Sequence, residues 1–305
     1  MSIGIRDAYG KALAELSKNE KVMVLDADLA KATKTIDFKN VCPERFLDMG
    51  ISEQDMVGTA AGLAVSGKIP FASTFAVFAA GRAFEQIRNT VCYPKLNVKI
   101  AATHAGITVG PDGGTHQSIE DIALMRSLPN MVVLNPADDV ETKAIINAAA
   151  EYYGPVYIRL SRMPVPTIHN ENYKFEIGKG EVLKEGSDVA IIATGIMVEK
   201  ALRAAEKLKA EGINATVVNI ATIKPLDKEL IVKVAKETGK VVTVEEHSVI
   251  GGLGSAVCEV LSQELPTKTK IMGVKDTFGQ SGTPDELLKH YGLTVEDIVK
   301  TVKSF

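Results

Sequence analysis

The stretch EQDMVGTAAGLAVSGKIPFASTF, residues 53–75, decides the fold class. Residues 53–65 are rich in small side chains and predict a helix that can pack closely against a sheet. Residues 71–75 form a short, mostly apolar run, which is typical of a strand buried on both faces. A helix that leads into a buried strand is the repeating unit of α/β proteins.

The same alternation of helical patterns and short apolar runs continues in both directions along the chain. Because strand–helix–strand units need right-handed crossovers, it predicts mostly parallel sheets with helices on both faces. Further strands are predicted at residues 22–25, 98–101, 131–134 and 156–160. The first helix has one apolar face, formed at the spacing i, i+4, i+7, i+8 by Ile5, Tyr9, Ala12, Leu13 and Leu16.

Residues 161–187 interrupt this pattern with Pro164, Pro166, two asparagines and three glycines. We therefore predict an α/β domain at residues 1–165, a linker at 166–186 and a second α/β domain at 187–305. Within the second domain, strands are predicted at residues 188–193, 215–220, 241–245 and 270–274, and helices at 198–210, 228–236 and 253–264.

The composition excludes several classes of protein. A formal charge of −3 gives no electrostatic basis for binding nucleic acid or an anionic membrane. The uncharged run from Ile69 to Gly81 has 13 residues, whereas a membrane-spanning helix needs ~20. The N-terminus lacks the pattern of a signal peptide. Three widely spaced cysteines make no disulfide framework, so we expect a cytoplasmic chain with reduced thiols.

Polar and aromatic side chains follow the predicted strands of the first domain. Ligands bind just beyond the carboxyl ends of the strands in parallel α/β sheets. We therefore expect the functional site at this edge of the first sheet. The residues concerned are Asp26, Asp28, Phe75, Phe78, His104, Ser161 and Arg162.

The loop from His104 to His116 carries two of the five histidines, one aspartate and four glycines. Histidine can exchange a proton near neutral pH, and glycines let the backbone approach a small polar ligand. Two alternatives are an ordinary connecting loop with surface histidines and a metal site. The two histidines lack the short ligand spacing of structural zinc sites, so we predict no metal ligands in this chain.

Glu53 opens the predicted helix at 53–65, directly after Ser52. Serine is a favoured N-cap residue, and an acidic residue in the first turn complements the helix dipole. Taken alone, this position is interpreted as a helix cap.

In their order and spacing, these motifs resemble transketolase. The resemblance extends over essentially the whole chain, but only to the C-terminal half of a full-length transketolase. It implies a pyrimidine-binding domain followed by the small C-terminal α/β domain. The matching motifs are Leu25-Asp26-Ala27-Asp28-Leu29, Gly50-Ile51-Ser52-Glu53-Gln54-Asp55-Met56, Ser73-Thr74-Phe75-Ala76-Val77-Phe78, Thr103-His104, Asp112-Gly113-Gly114-Thr115-His116-Gln117-Ser118-Ile119-Glu120, Arg126-Ser127-Leu128-Pro129-Asn130 and Leu160-Ser161-Arg162.

The resemblance implies thiamine diphosphate and Mg²⁺ as cofactors. Family members hold the diphosphate through Mg²⁺ and a Gly-Asp-Gly motif in the other half of the protein, and this sequence contains no Gly-Asp-Gly. A diphosphate needs a metal or a basic cradle. We therefore expect a separate N-terminal subunit that carries Gly-Asp-Gly, in an α₂β₂ heterotetramer with the cofactor between subunits.

The resemblance also implies a role for each candidate residue. In catalysis, Glu53 would hydrogen-bond the pyrimidine nitrogen opposite the thiazolium, and His104 and His116 would contact the sugar and assist proton transfer. Cofactor-binding residues would be Leu29, Glu53, Phe75 and Phe78, and substrate-binding residues would be Arg6, Asp28, His104, Asp112, His116 and Arg162. Without the resemblance, the two phenylalanines are equally well interpreted as core residues and Arg6 as a solvated helix charge.

Two positions depart from the family pattern. Gly81 stands where some members carry a third aromatic residue of the ring pocket, and Ala105 stands where others carry aspartate. The pocket is therefore expected to be built somewhat differently, with a substrate preference that the sequence does not define.

The resemblance implies reversible transfer of a two-carbon ketol unit from a ketose phosphate to an aldose phosphate, the transferase reaction of the pentose phosphate pathway. Alternatives are the β subunit of a 2-oxoacid dehydrogenase E1, a deoxyxylulose-phosphate synthase-like enzyme and a non-catalytic scaffold. The run from Asp112 to Gln117 favours transketolase, and a scaffold has no need of Glu53, His104 and His116.

One segment of the second domain looks like a dinucleotide-binding turn. Residues 245–248 (EEHS) and 251–254 (GGLG) join a predicted strand to a predicted helix, but no window reads G-x-G-x-x-G. We interpret the segment as a packing or subunit contact.

Overall fold

The computed structural model describes residues 2–305, with side chains from Gly4 onwards. The strands are β1 (Ser2–Gly4), β2 (Val22–Asp26), β3 (Phe46–Asp48), β4 (Ile69–Phe75), β5 (Lys99–Thr103), β6 (Val132–Leu134), β7 (Val156–Leu160), β8 (Pro164–Pro166), β9 (Glu181–Lys184), β10 (Val189–Ala193), β11 (Ala215–Asn219), β12 (Thr222–Lys224), β13 (Lys240–Ser248) and β14 (Lys268–Val274). The helices are α1 (Ile5–Leu16), α2 (Ala30–Thr33), α3 (Ile36–Val41), α4 (Glu53–Val65), α5 (Phe84–Gln86), α6 (Asp121–Ser127), α7 (Asp139–Glu151), α8 (Met197–Ala210), α9 (Lys228–Thr238), α10 (Leu253–Glu264), α11 (Pro284–His290) and α12 (Val295–Lys303).

The first sheet has seven strands in the order β12-β6-β7-β5-β4-β2-β3. Six of them are parallel, and β12, which comes from the second domain, pairs antiparallel with β6 at the edge. Successive side chains of β4 face opposite layers: Phe71 packs in the layer of α1 and α7, whereas Ala72 packs in the layer of α4. The prediction of a mostly parallel sheet with helices on both faces is confirmed.

The second sheet has the order β14-β13-β10-β11-β9, with four parallel strands and β9 antiparallel at the edge. The strand β9 lies inside residues 166–186, which the sequence predicted as a linker. That strand went unpredicted because it has only four residues and follows two glycines. The edge strand β8 also went unpredicted, and it pairs with β1 near the start of the chain.

Most predicted elements match observed ones, and the helices at 53–65 and 253–264 have the predicted bounds. No helix is predicted in the last 30 residues, where the structure has α11 and α12. Both begin with a capping box, formed by Thr283 with Glu286 and by Thr294 with Asp297. Across residues 2–305, no helix is both long enough and apolar enough to cross a membrane.

Helix α1 is fixed to the first sheet by a hydrogen bond between Tyr9 and Ser73 of β4, with 2.5 Å between the hydroxyl oxygens. Arg6 lies one turn earlier on the same face of the helix. This contact places the Arg6 guanidinium at the carboxyl end of the sheet.

Candidate functional site

The candidate site lies at the carboxyl ends of β4, β5 and β7, which are neighbours in the first sheet. The register pairs Phe75 with Thr103, and Thr103 with Leu160. His104 therefore leaves the sheet beside Phe75, and Arg162 follows two residues after the end of β7. The structure thus brings these three predicted residues to one edge of the sheet.

Glu53 is the first residue of α4, and only 1% of its surface is exposed. Glu53 lies in the first turn of α4 as predicted, but Ser52, although it is the N-cap residue, makes no side-chain capping hydrogen bond. Instead, Glu53 Oε2 accepts a hydrogen bond from Arg82 Nη1 at 2.7 Å, and Glu53 Oε1 lies 3.5 Å from Thr74 Oγ1. The carboxylate is therefore directed at β4 and at Arg82.

Arg82 lies on the solvent side of this carboxylate, with 47% of its side chain exposed. Its guanidinium carbon stands 4.7 Å from the centre of the Phe78 ring, within the range of a cation–π contact. Residues 78–82 form a short π-helical segment, a conformation that is frequent at functional sites. A side chain at Gly81 would meet no atom within 4 Å of its Cβ, so the position of the missing third aromatic ring is open.

Four rings pack together beside Glu53. The Phe75 ring stacks on the His104 ring at 3.9 Å between centres and lies 5.9 Å from the Phe78 ring. The His116 ring meets both phenylalanines edge-on, at 6.4 and 5.5 Å. The two histidines and two phenylalanines predicted from sequence therefore form one cluster, with aromatic walls that can hold a flat heterocycle.

His104 has a defined tautomer. Arg6 Nη1 lies 3.2 Å from His104 Nε2, and because a guanidinium only donates, Nε2 is the acceptor. The proton is therefore on Nδ1, which donates to Thr103 Oγ1 at 2.9 Å. Burial, together with the positive charges of Arg6 and Arg162, lowers the pKa of His104 to about 3, so the ring is neutral.

Arg162 joins the same region. Its Nη1 atom donates to the carbonyl of Val109 at 2.8 Å and lies 3.5 Å from a carboxylate oxygen of Asp112. Both side chains are partly exposed, so this guanidinium is accessible to an anionic ligand. Arg6, in contrast, is held by His104 and by the carbonyl of Ala32.

Asp28 and Leu29 follow β2 at the same edge of the sheet. Asp28 is exposed and has a left-handed backbone, with φ of 61°. Neither side chain has a hydrogen bond or ring contact with the histidine and phenylalanine cluster among the residues described. Asp26 instead has a structural role, because its buried carboxylate accepts hydrogen bonds from Thr33, Thr35 and the Leu29 amide.

The second domain reaches the site through Glu246 on β13. Glu246 Oε1 accepts a hydrogen bond from the amide of Thr108 in the His104–His116 loop. The neighbouring Glu245 accepts from the amides of Leu253 and Gly254 at the start of α10. The GGLG segment therefore surrounds a carboxylate of its own chain, which agrees with the packing interpretation.

The residues at this edge are better suited to bind the heterocyclic ring of a cofactor than its phosphate groups. A buried carboxylate and aromatic walls suit an organic base. Between Ser2 and Phe305, no group of three or more histidine, cysteine, aspartate or glutamate side chains could hold a metal ion.

Three further residues make contacts at the site and are not among the predicted site residues: Thr74, Arg82 and Glu246. Thr74 lies within the motif Ser73-Thr74-Phe75-Ala76-Val77-Phe78, and Arg82 lies four residues after it. Their spacing in the sequence does not show that their side chains reach Glu53. Glu246 was noted only as part of a packing segment, because its contact with Thr108 spans 138 positions of sequence.

Comparison with protein families gives two matches. Residues 1–167 match the family model described as the pyrimidine-binding domain of transketolase, and residues 178–298 match the transketolase C-terminal domain. Both matches fall on the regions that form the two sheets.

Individual relatives agree with these matches. The chain is 56% identical over 303 residues to a transketolase C-terminal section of Methanocaldococcus jannaschii, covering 98% of this chain and 95% of that protein. It is 45% identical to a 6-deoxy-6-sulfo-D-fructose transketolase subunit of a Clostridium species, covering 97% and 92%. It is 40% identical to the 1-deoxy-D-xylulose-5-phosphate synthase of Caldanaerobacter subterraneus, covering 97% of this chain but 48% of that protein.

A solved structure described as a split gene transketolase, an inactive beta4 tetramer, is 61% identical to the chain. The two superpose with a TM-score of 0.93, covering 99% of this chain and 98% of the other.

Proposed function

Because the chain belongs to the transketolase family and corresponds to its pyrimidine-binding and C-terminal domains, we propose that it is the C-terminal subunit of a two-chain transketolase. In the proposed reaction, a two-carbon ketol unit moves reversibly from a ketose phosphate to an aldose phosphate. The observation that carries this proposal is the convergence of the buried Glu53 carboxylate with the rings of Phe75, Phe78, His104 and His116.

Thiamine diphosphate, when bound, would supply the carbanion that adds to the ketose carbonyl. A proton shared between the Glu53 carboxyl group and the pyrimidine nitrogen of this cofactor would form the hydrogen bond between them, and Phe75, Phe78 and Leu29 would line its ring. The sequence lacks Gly-Asp-Gly, so Mg²⁺ and the diphosphate would be held by the partner chain.

The substrate would bind on the other side of the ring cluster. Arg162 is the better placed phosphate ligand, because its guanidinium is partly exposed and its planar fork suits a phosphate. Asp112 and Asp28 would accept hydrogen bonds from sugar hydroxyls. Arg6 would contribute the nitrogens that do not bond to His104 and Ala32, since both of those contacts use Nη1.

His104 and His116 would move protons on the sugar. His104 is neutral in the free chain, with its Nε2 lone pair directed at Arg6. Burial is the main cause of the low pKa of His104, and an incoming phosphate would offset only the smaller contribution of the Arg6 and Arg162 charges.

The partner would be an N-terminal transketolase subunit, in an α₂β₂ assembly in the cytoplasm that serves the pentose phosphate pathway. The likeness to a tetramer of split-gene transketolase supports self-association of this chain. A second candidate is 1-deoxy-D-xylulose 5-phosphate synthesis, favoured by the 40% identity to such a synthase over 97% of this chain.

The test is reconstitution. This chain is mixed with a chain of about 270 residues that carries Gly-Asp-Gly, and each is also assayed alone, with xylulose 5-phosphate and ribose 5-phosphate or with pyruvate and glyceraldehyde 3-phosphate. We expect ketol transfer only from the mixture with the pentose phosphates. Micromolar, Mg²⁺-dependent binding of thiamine diphosphate by this chain alone would contradict the two-chain proposal, and turnover of pyruvate would favour the synthase.

A further inference from the structure

The loop from His104 to His116 has an unusual backbone. His104 has φ of 58°, in the left-handed region that a residue with a side chain rarely adopts. Gly106, Gly110 and Gly113 also have positive φ, between 77° and 86°. For His104 this conformation costs free energy and persists only where surrounding contacts hold it in place, whereas glycine adopts positive φ readily. The position of the His104 ring therefore depends on what anchors this loop.

One anchor is Glu246, a residue of the second domain. Its carboxylate is buried, and Oε1 accepts the Thr108 amide at 2.5 Å. The same carboxyl group lies so close to Gly106 that a side chain there would have to displace it. Glu246 thus fixes the loop at the residues that directly follow the His104 turn.

A second anchor closes the other end of the loop. Gln117 Nε2 donates to the carbonyls of Ile107 and Gly110 and, at 2.9 Å, to the carbonyl of Gln280 in the second domain. Gly114 packs against the carbonyl of Gly279 with no room for a side chain. The second domain therefore contacts the loop near both of its ends, at Thr108 and at Gln117.

We propose that Glu246 is a positioning residue, through which the second domain holds residues 104–117 in the shape that presents His104 and His116 to the sugar. The proposal rests on the proposed function for its sugar ligand. Glu246 itself touches no reacting atom in this scheme, since it acts through the Thr108 amide and Gly106.

The chain offers a matched control in Glu245. It precedes Glu246 on the same strand and is equally buried, but the contacts of its carboxylate among the residues described lie within its own domain: the amides of Leu253 and Gly254, and His247 Nδ1 at 3.7 Å. A general loss of stability should appear in both Glu245→Ala and Glu246→Ala, whereas a loss of loop position should appear only in the second.

The first experiment is hydrogen exchange by mass spectrometry on this chain alone. We expect exchange of the amides at residues 105–110 to be ~10-fold faster in Glu246→Ala, because the Thr108 amide loses its acceptor, and unchanged in Glu245→Ala. Glu246→Gln should stay close to wild type, since its amide oxygen still accepts. If Glu246→Ala does not fold, Glu246→Asp, which withdraws the carboxylate by one methylene, is measured instead.

The second experiment uses the reconstituted enzyme. We expect Glu246→Ala or Glu246→Asp to raise the KM for sugar phosphate by ~10-fold, or about 1.4 kcal/mol, with the apparent Kd for thiamine diphosphate unchanged within about twofold. Equal loop exchange in the Glu245 and Glu246 variants would overturn the proposal, and so would equal losses in sugar and cofactor binding. The hydrogen-exchange experiment does not depend on enzyme activity. It therefore tests whether Glu246 anchors the loop even if the wild-type mixture transfers no ketol unit and the proposed function fails.

Discussion

The Nη1 atom of Arg82 lies 2.7 Å from Oε2 of Glu53, so the one buried carboxylate among the candidate catalytic residues is ion-paired in the free chain. The carboxylate is almost fully covered, whereas nearly half of the arginine is exposed. A base that hydrogen-bonds Glu53 must therefore displace Arg82 or share the carboxylate with it.

The first prediction follows from that competition. A half-exposed ion pair contributes about 0.5–1 kcal/mol, so its removal should change affinity only about two- to fivefold. We expect Arg82→Ala to bind thiamine diphosphate tighter by about this factor in the reconstituted enzyme, measured by titration of activity. Arg88→Ala is the matched control, because Arg88 is exposed and bonds to Asn89 instead of Glu53. Weaker binding in Arg82→Ala would mean that the arginine stays and orients the carboxylate.

The second prediction concerns Glu53 itself. Because the Glu53 carboxyl group would share a proton with the pyrimidine nitrogen, Glu53→Ala should lower kcat by ~10²–10⁴, the usual scale of a proton-transfer role. Asp55→Ala is the control, since Asp55 lies in the same first turn of α4 but is exposed. Steady-state kinetics at saturating cofactor separates the two, and equal turnover in both variants would remove Glu53 from the catalytic residues.

The third prediction concerns substrate phosphate. Arg162→Ala removes a partly exposed guanidinium that is accessible to an anion. We expect the KM for phosphorylated sugars to rise at least ~10-fold, with a much smaller change for the unphosphorylated sugars. Steady-state kinetics with matched pairs of sugars is the measurement. If both kinds of sugar lose affinity equally, Arg162 acts only through its contacts with Val109 and Asp112.

The fourth prediction is a pH dependence of stability. His169 is buried, with Nδ1 at 2.9 Å from Asp138 and Nε2 at 3.1 Å from Glu181. Burial alone would lower the pKa of His169, but these hydrogen bonds outweigh it and raise the pKa to about 10. The ion pair therefore contributes fully below the ordinary histidine pKa of 6.5, and its contribution is lost as the pH rises through about 10.

His169→Gln should accordingly lower the free energy of unfolding by on the order of 3 kcal/mol near pH 6, because Asp138 is left buried without its cation. The difference from wild type should shrink above pH 10. Urea unfolding at both pH values measures this, with the exposed His290→Gln as control. A difference that does not depend on pH would contradict the charged state of His169.

The long buried elements could be predicted from sequence, because hydrophobic periodicity reports burial directly. Residues 53–65 and 156–160 became the helix and strand expected. Short edge strands such as β9 and β12 were not predictable in the same way, since three or four residues carry no period. Their pairing with β11 and β6 is set by tertiary contacts.

The candidate site was predictable where residues follow strands, as with His104 and Arg162. The partners of those residues were not, because a contact such as that between Arg82 and Glu53 depends on the π-helical turn that carries the arginine. The same holds for Glu246, which reaches the first domain from a different sheet. Asp28 and Leu29 were placed at the correct edge, but nothing in the sequence indicated their distance from the rings.

The strand β12 has a consequence for any attempt to divide the chain. It belongs to the second half of the sequence, yet it completes the first sheet by covering the backbone of β6. A fragment that stops near residue 167 would keep the pairing of β6 with β7 but would expose the edge of β6 that faces β12. An exposed sheet edge can pair with strands of other molecules. We therefore expect the truncated protein to aggregate and only the full-length chain to purify as a defined species.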